Sequence, residues 1–336
     1  MARPEPRRSS TAAVDDRVYL HDLKPRLTDM REEVLTGLKV TPRRIAPKYF
    51  YDQRGSELFE AITRLPEYYP TRAEMSIFES RLEALCVTLG RGNVLLEFGS
   101  GSSRKIRLLL EGLRPKAYLP VDISREHLLE AARALAADYE WLEVHAICAD
   151  YAAGFELPWR SLDAAGRPVP MTGFFPGSSI GNFERPAAAR FLEGVHRTLG
   201  AGGQLLIGVD RRKDKARLEA AYNDAAGVTA AFNRNALAHL NRALDGDIDV
   251  EAFDHAAHYD DEAGRIEMHL VARRELTFTL AGESFSFAAG ETIHTENSYK
   301  YAPEEFRALA AGVGFDTVEE FTDSESLFSV FVLRAV

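Results

Sequence analysis

The stretch Val94-Leu95-Leu96-Glu97-Phe98-Gly99-Ser100-Gly101-Ser102-Ser103-Arg104-Lys105 decides the fold. An apolar run of strand character ends in a glycine-rich turn. The turn opens an amphipathic segment, RKIRLLLEGL, whose apolar residues recur at helical spacing. Gly99 and Gly101 suit a place where the backbone reverses tightly and a ligand approaches with no Cβ in the way. The third glycine of the dinucleotide fingerprint is missing, and Arg104 stands in its place. That glycine serves a pyrophosphate seated on the helix N-terminus, so its loss is harmless only to a ligand without one.

Two acids complete the pattern downstream. Asp122 ends the apolar segment AYLPVD, where a carboxylate can accept both hydroxyls of a ribose. Asp150, followed by Tyr151, ends LEVHAICAD, a position from which a side chain reaches an adenine while an aromatic neighbour covers the ring. Strand, glycine turn, helix and two acids in this order predict a site for S-adenosylmethionine, which carries no phosphate.

Working outward, TGFFPG and GQLLIGVD continue the alternation of strands with helical segments. Five strands spaced this way predict a parallel sheet with right-handed crossovers and helices on both faces. DTVEEFTD and SLFSVFVLRAV close the chain as an antiparallel pair. The count predicts an α/β, Rossmann-like, seven-stranded class I methyltransferase sheet rather than a six-stranded dehydrogenase sheet. Between strands five and six, residues 214–243 are helical in period. The segments IEMHLVAR and ELTFTL, with turn signals at Ala281-Gly282 and Ala289-Gly290, read as hairpins. The expected organisation is a disordered tail at 1–16, an N-terminal part of a substrate lobe at 17–90, and a sheet domain at 91–213 and 303–336. An inserted α+β lobe at 214–302 joins the N-terminal part.

Composition narrows the partners. The 336 residues carry a net charge of −10, which argues against nucleic acid because phosphate contacts need a basic surface. No apolar run approaches the roughly 20 residues of a membrane span, and the basic N-terminus lacks the apolar core of a secretion signal. Two distant cysteines, Cys86 and Cys148, fit a reducing compartment. A cytoplasmic monomer acting on a small molecule is the expectation, with no nucleic-acid or membrane partner.

Several longer segments resemble one family, the histidine Nα-methyltransferases that open ergothioneine biosynthesis. They are APKYFYDQRGSELF from Ala46, ITRLPEYYPTRAE from Ile62, LLEFGSGSSRK, FFPGSSIGNF from Phe174 and IHTENSYKY from Ile293. The resemblance runs from about residue 20 to the C-terminus. It implies that Tyr51 helps close the cofactor pocket, while Gly99, Lys105, Asp122, Asp150 and Tyr151 contact the cofactor. It implies that Gly177 and Asn182 face the backbone end of the amino acid and that Tyr222 holds its α-carboxylate beside Asn182. Tyr68, Glu296 and Ser298 would grip an imidazole, with Met268 packed beside the ring. The family also includes enzymes acting on tryptophan and dimethylallyltryptophan, so it fixes the reaction more firmly than the substrate.

The residue chemistry points the same way. A carboxylate in a confined site needs neutral donors, which Asn182 and Tyr222 supply. An imidazole shows two distinct nitrogens, and an acid plus a hydroxyl, Glu296 and Ser298, can read both. An indole has a single N–H, so the acid favours histidine over tryptophan. No dedicated catalytic base is expected, only positioning. His294, Asn297 and Tyr299 depart from the family's usual wording and bear on fine specificity. An NAD-dependent oxidoreductase is a weaker alternative, disfavoured by Arg104. A metal site at His255 and His258, with Asp254 and Asp260 nearby, is set aside because no third histidine is spaced to complete it.

Overall fold

The computed structural model describes residues 10–24, 30–100, 104–152, 154–159 and 161–336; Gly101 lies outside them. The chain begins with a hairpin, β1 (Ser10–Asp15) and β2 (Val18–Asp22). It continues through α1 (Met30–Lys39), the short β3 (Arg43–Arg44), α2 (Gln53–Ile62) and α3 (Tyr69–Leu89). The alternating part follows: β4 (Val94–Phe98), α4 (Arg104–Leu113), β5 (Ala117–Asp122), α5 (Arg125–Asp138), β6 (Val144–Cys148), β7 (Met171–Phe175), α6 (Arg185–Leu199) and β8 (Gln204–Asp210). An insertion holds α7 (Lys215–Tyr222), α8 (Val228–Leu244), β9 (Phe253–Asp260), β10 (Arg265–Ala272), β11 (Leu276–Leu280), β12 (Glu283–Phe287) and β13 (Thr292–Tyr299). The chain returns with α9 (Pro303–Ala311), β14 (Phe315–Thr322) and β15 (Phe328–Ala335).

The main sheet has the order β1-β2-β6-β5-β4-β7-β8-β15-β14. Its last seven strands are the arrangement expected from the sequence, five parallel and two antiparallel. Successive side chains of β4 serve opposite faces, as the period of two requires. Leu95 joins a core with Ile77 of α3, Leu109 of α4 and Leu128 of α5. Leu96 and Phe98 join another with Phe191 of α6 and Phe306 of α9.

The N-terminus departs from expectation. Residues 10–15, placed in a disordered tail, form a strand, and β2 pairs in parallel with β6. The reason is nonlocal: Val18 and Leu20 find a buried place beside β6 that their short local pattern does not announce. The boundary at 90 also moves. Helix α3 belongs to the sheet domain, because Ile77, Phe78 and Leu85 bury against α4 and the sheet.

The second lobe is a four-stranded sheet, β3-β13-β10-β9, and the hairpin β11–β12. N-terminal Val34, Leu38 and Ile45 share one core with Leu237, Leu270 and Phe278 of the insertion. Neither segment covers its apolar surface alone, so the two fold as one body.

Candidate functional site

The carboxyl ends of β4, β5 and β6 form a continuous rim. The Gly99 N–H donates to Val121 O (2.9 Å), and the Ala149 N–H donates to Asp122 O (3.0 Å). Gly99, Asp122 and Asp150 therefore stand on three adjacent strand ends. Gly99 has φ +75°, and a Cβ there would point at the Tyr151 hydroxyl 3.4 Å away. Tyr151 is held edge-on by Phe98, Phe175 and Phe191. Burial raises the Asp122 carboxyl above its ordinary value, against the Ser124 N–H that stabilises its charge.

The donor set suits an uncharged ribose and adenine better than a pyrophosphate. Both basic side chains that follow the turn are already paired: Arg104 with Glu79 (2.9 Å) and Lys105 with Glu74. With both of these cations engaged, the rim fits the nucleoside of S-adenosylmethionine. Lys105 thus braces the turn through Glu74.

Glu74 also accepts the Gly177 N–H at 2.9 Å, and it is fully buried. Gly177 belongs to the wall of a cleft of ≈ 630 Å³ between the two lobes. The same cleft is lined by Tyr51, Tyr68, Asn182, Tyr222, Met268, Glu296 and Ser298. Every substrate residue expected from the sequence is brought to one cavity, and Glu74 joins that cavity to the helix after the glycine turn.

Local rules place these walls. Asp52 caps α2 by accepting the Gly55 N–H (2.7 Å), and Asn235 and Arg242 of α8 hold its carboxylate. A Cβ on Gly55 would lie 1.6 Å from Phe50 O, so only glycine admits this turn. Tyr51, just before the cap, is fixed against Phe59 and Phe232 and stays 47% exposed at the cleft mouth. On the facing wall Gly181 lets the Ser179–Asn182 turn press on β13, since a Cβ there would meet Tyr299 O at 2.6 Å.

A β-bulge aims the acid. Met268 pairs with Glu296 and His269 with His294, which leaves Thr295 as the extra residue. Its hydroxyl donates to Met268 O (3.0 Å). Beyond the bulge the alternation is shifted by one, so Glu296 and Ser298 share the cleft face with Met268 while Asn297 turns outward with Glu267. Glu296 is 9% exposed and makes no hydrogen bond among the described residues. Burial pushes its carboxyl up to about 7, with Lys300 pulling the other way. The Asn182 amide and the hydroxyls of Tyr51 and Tyr68 likewise find no partner there. Asn182 and Tyr68 are half-buried and Tyr51 is exposed, so these open polar groups converge with the buried Glu296 carboxylate on one cavity, where a ligand can answer them.

Sequence reading gave Tyr222 and Ser298 separate tasks; the structure couples them. Tyr222 O–H donates to Ser298 Oγ (2.8 Å), and Lys300 Nζ donates to both oxygens (2.9 and 2.8 Å). Lys300 pairs in turn with Asp210 (2.8 Å), which also holds Lys213 and accepts from Tyr69 O–H. Asp210, Lys300 and Glu74 were not singled out beforehand. The lysine's position at the end of IHTENSYKY was the one available signal.

His255 and His258 separate. His255 faces inward, with Nε2 2.8 Å from Tyr222 O. His258 faces outward and meets Glu267 and His269 on the neighbouring strand, their ligand atoms within 4.8 Å of one another. Arg265 is already bound to that carboxylate.

The family model described as histidine-specific, SAM-dependent methyltransferase matches residues 30–335. The chain is 41% identical over 307 residues to a histidine N-alpha-methyltransferase of Mycolicibacterium smegmatis, covering 90% of this chain and 93% of that protein. It is 33% identical over 289 residues to ergothioneine biosynthesis protein 1 of Neurospora crassa, covering 84% of this chain and 32% of that protein. Among solved structures, the CcbJ methyltransferase from Streptomyces caelestis aligns over 82% of this chain and 95% of its own, with TM-score 0.46 and 15% identity.

Proposed function

The chain belongs to the family of histidine-specific, S-adenosylmethionine-dependent methyltransferases, and from that premise we propose that it methylates the α-amino nitrogen of L-histidine three times, giving hercynine for ergothioneine biosynthesis. The observation that carries the substrate is Glu296, an unpartnered buried carboxylate beside Ser298 on the cleft wall. An imidazole N–H answers the carboxylate and the second ring nitrogen answers a hydroxyl. Asn182 lies across the same cleft as a donor for the α-carboxylate, while the single hydroxyl proton of Tyr222 goes to Ser298.

S-adenosylmethionine supplies an electrophilic methyl group on a sulfonium. Gly99, Asp122, Asp150 and Tyr151 are the residues that would hold its nucleoside. The amine must present a lone pair, and an α-amine titrates at about 7.7–8.0 even in a chain terminus. Burial and a nearby positive charge both favour the neutral amine, so the protein's task is to orient it. A methylated nitrogen loses its donors, so the grip falls on the carboxylate and the ring. Tyr51, Tyr68, Phe59 and Phe232 line the cleft with aromatic faces that tolerate the growing cation.

The test is incubation of the purified protein with S-adenosylmethionine and a panel of amino acids, read by mass spectrometry. A gain of three methyl groups on histidine is expected. Turnover of tryptophan without histidine would end this reading.

A further inference from the structure

An ammonium group has three protons and no lone pair. Those of Lys300 are spent on Asp210, Tyr222 and Ser298, at 2.8, 2.9 and 2.8 Å. The lysine is 1% exposed, and no other hydrogen-bond partner is found for it among the described residues. Tyr222 and Ser298 can therefore only accept from it. Their mutual bond of 2.8 Å uses one of their two hydroxyl protons, with Tyr222 donating. Ser298 Oγ then has both lone pairs filled, by Lys300 and Tyr222. Its own proton is all it has left, and the cleft is where that proton has room to go.

We infer that Lys300 is a specificity-determining positioning residue: with Tyr222 it fills the lone pairs of Ser298 and makes that hydroxyl a committed donor, opposite Glu296, an acceptor in its ionised form. The pair then reads a ring with one N–H and one bare nitrogen, in a single orientation. A ring offering two donors, or a donor alone, leaves a buried proton or lone pair unanswered. Sites built to hydrogen-bond a substrate atom reject analogues lacking it far more strongly than apolar pockets reject a change of size. With its three protons engaged, Lys300 acts through Ser298 and Tyr222. The inference rests on the histidine reading above.

Lys300 can be replaced without orphaning its counter-ion, because Asp210 keeps Lys213 and the Tyr69 hydroxyl. The decisive comparison uses histidine and the two pyrrolylalanines, in which one ring nitrogen is replaced by C–H. Dissociation constants are measured with S-adenosylhomocysteine present, for the native protein and for Lys300→Met, Ser298→Ala and Tyr222→Phe. The native protein is expected to favour histidine over the pyrrole that lacks the bare nitrogen by roughly 10–100-fold. Lys300→Met and Ser298→Ala should shrink that ratio to below about threefold. Tyr222→Phe opens the other lone pair of Ser298 and should shrink the ratio in the same way, and S-adenosylhomocysteine affinity should hold throughout. A purely structural lysine would lower every affinity together, and that result overturns the inference, as does an unchanged ratio in Lys300→Met. If Lys300→Met does not fold, Ser298→Ala alone decides by the same ratio. Failure of the native protein to bind histidine at all would remove the substrate reading as well.

Discussion

Glu296 carries opposite consequences for stability and for binding. An ordinary glutamate titrates at 4.5, and the folded protein raises this one to about 7, so the folded state holds the proton more tightly. Glu296 therefore costs nothing below pH 4.5, weakens the fold progressively as pH rises toward 7, and does so in full above it. The difference corresponds to about 3 kcal/mol. Urea unfolding should show Glu296→Gln gaining on the native protein by about that amount between pH 4.5 and about pH 8. The same substitution should weaken histidine binding by roughly 10–100-fold, because an amide presents one acceptor in place of a charged pair. It should also flatten the rise in affinity through pH 7 that ionisation of the acid confers. Glu296 was legible because a carboxylate within a motif is conspicuous. Lys300 and Asp210 were not, since a lysine near a strand end reads as solvated until its burial and three partners are known.

Among the elements, the turn at Ser179–Asn182 and strand β13 are fitted to each other. Replacing Gly181 with alanine sets a Cβ 2.6 Å from a backbone oxygen of Tyr299, which neither side can yield cheaply. Overpacking of this kind costs about 1–3 kcal/mol. Gly181→Ala is expected to lower Tm by roughly 2–4 °C per kcal/mol lost. It should raise KM for histidine through displacement of Asn182 while leaving S-adenosylhomocysteine affinity close to native. Equal losses in both affinities would contradict this division of labour. The alternating elements of the main sheet were readable from residues 94 to 210 because each strand and helix is declared by its own local period. The bulge at Thr295 was not. A strict alternation along IHTENSY sets His294, Glu296 and Ser298 on one face, and only the pairing with β10 reveals the shift that separates them.

At the scale of the whole molecule, the chain visits the second lobe twice and the sheet domain three times, so the cleft draws walls from residues far apart in sequence. The first visit to the sheet, by β2, was hidden because five residues beside an edge strand carry too little pattern of their own. Among the described residues no helix is long and apolar enough to cross a membrane. Glu74 links the two pockets, since one buried carboxylate grips Lys105 behind the glycine turn and the Gly177 N–H at the cleft wall. Two pockets resting on one side chain cannot be filled independently. Whatever tightening one occupant imposes on Glu74 is already settled when the second arrives, and by thermodynamic reciprocity the favour is equal in both directions. Titration calorimetry of histidine with and without S-adenosylhomocysteine should show a coupling of several-fold, within the usual span of about 1–3 kcal/mol. Glu74→Gln keeps an acceptor for Gly177 but gives up the charge that holds Lys105, and should bring that factor toward unity. Communication between two pockets, a property usually sought in moving loops, would here be written into a single immobile acid.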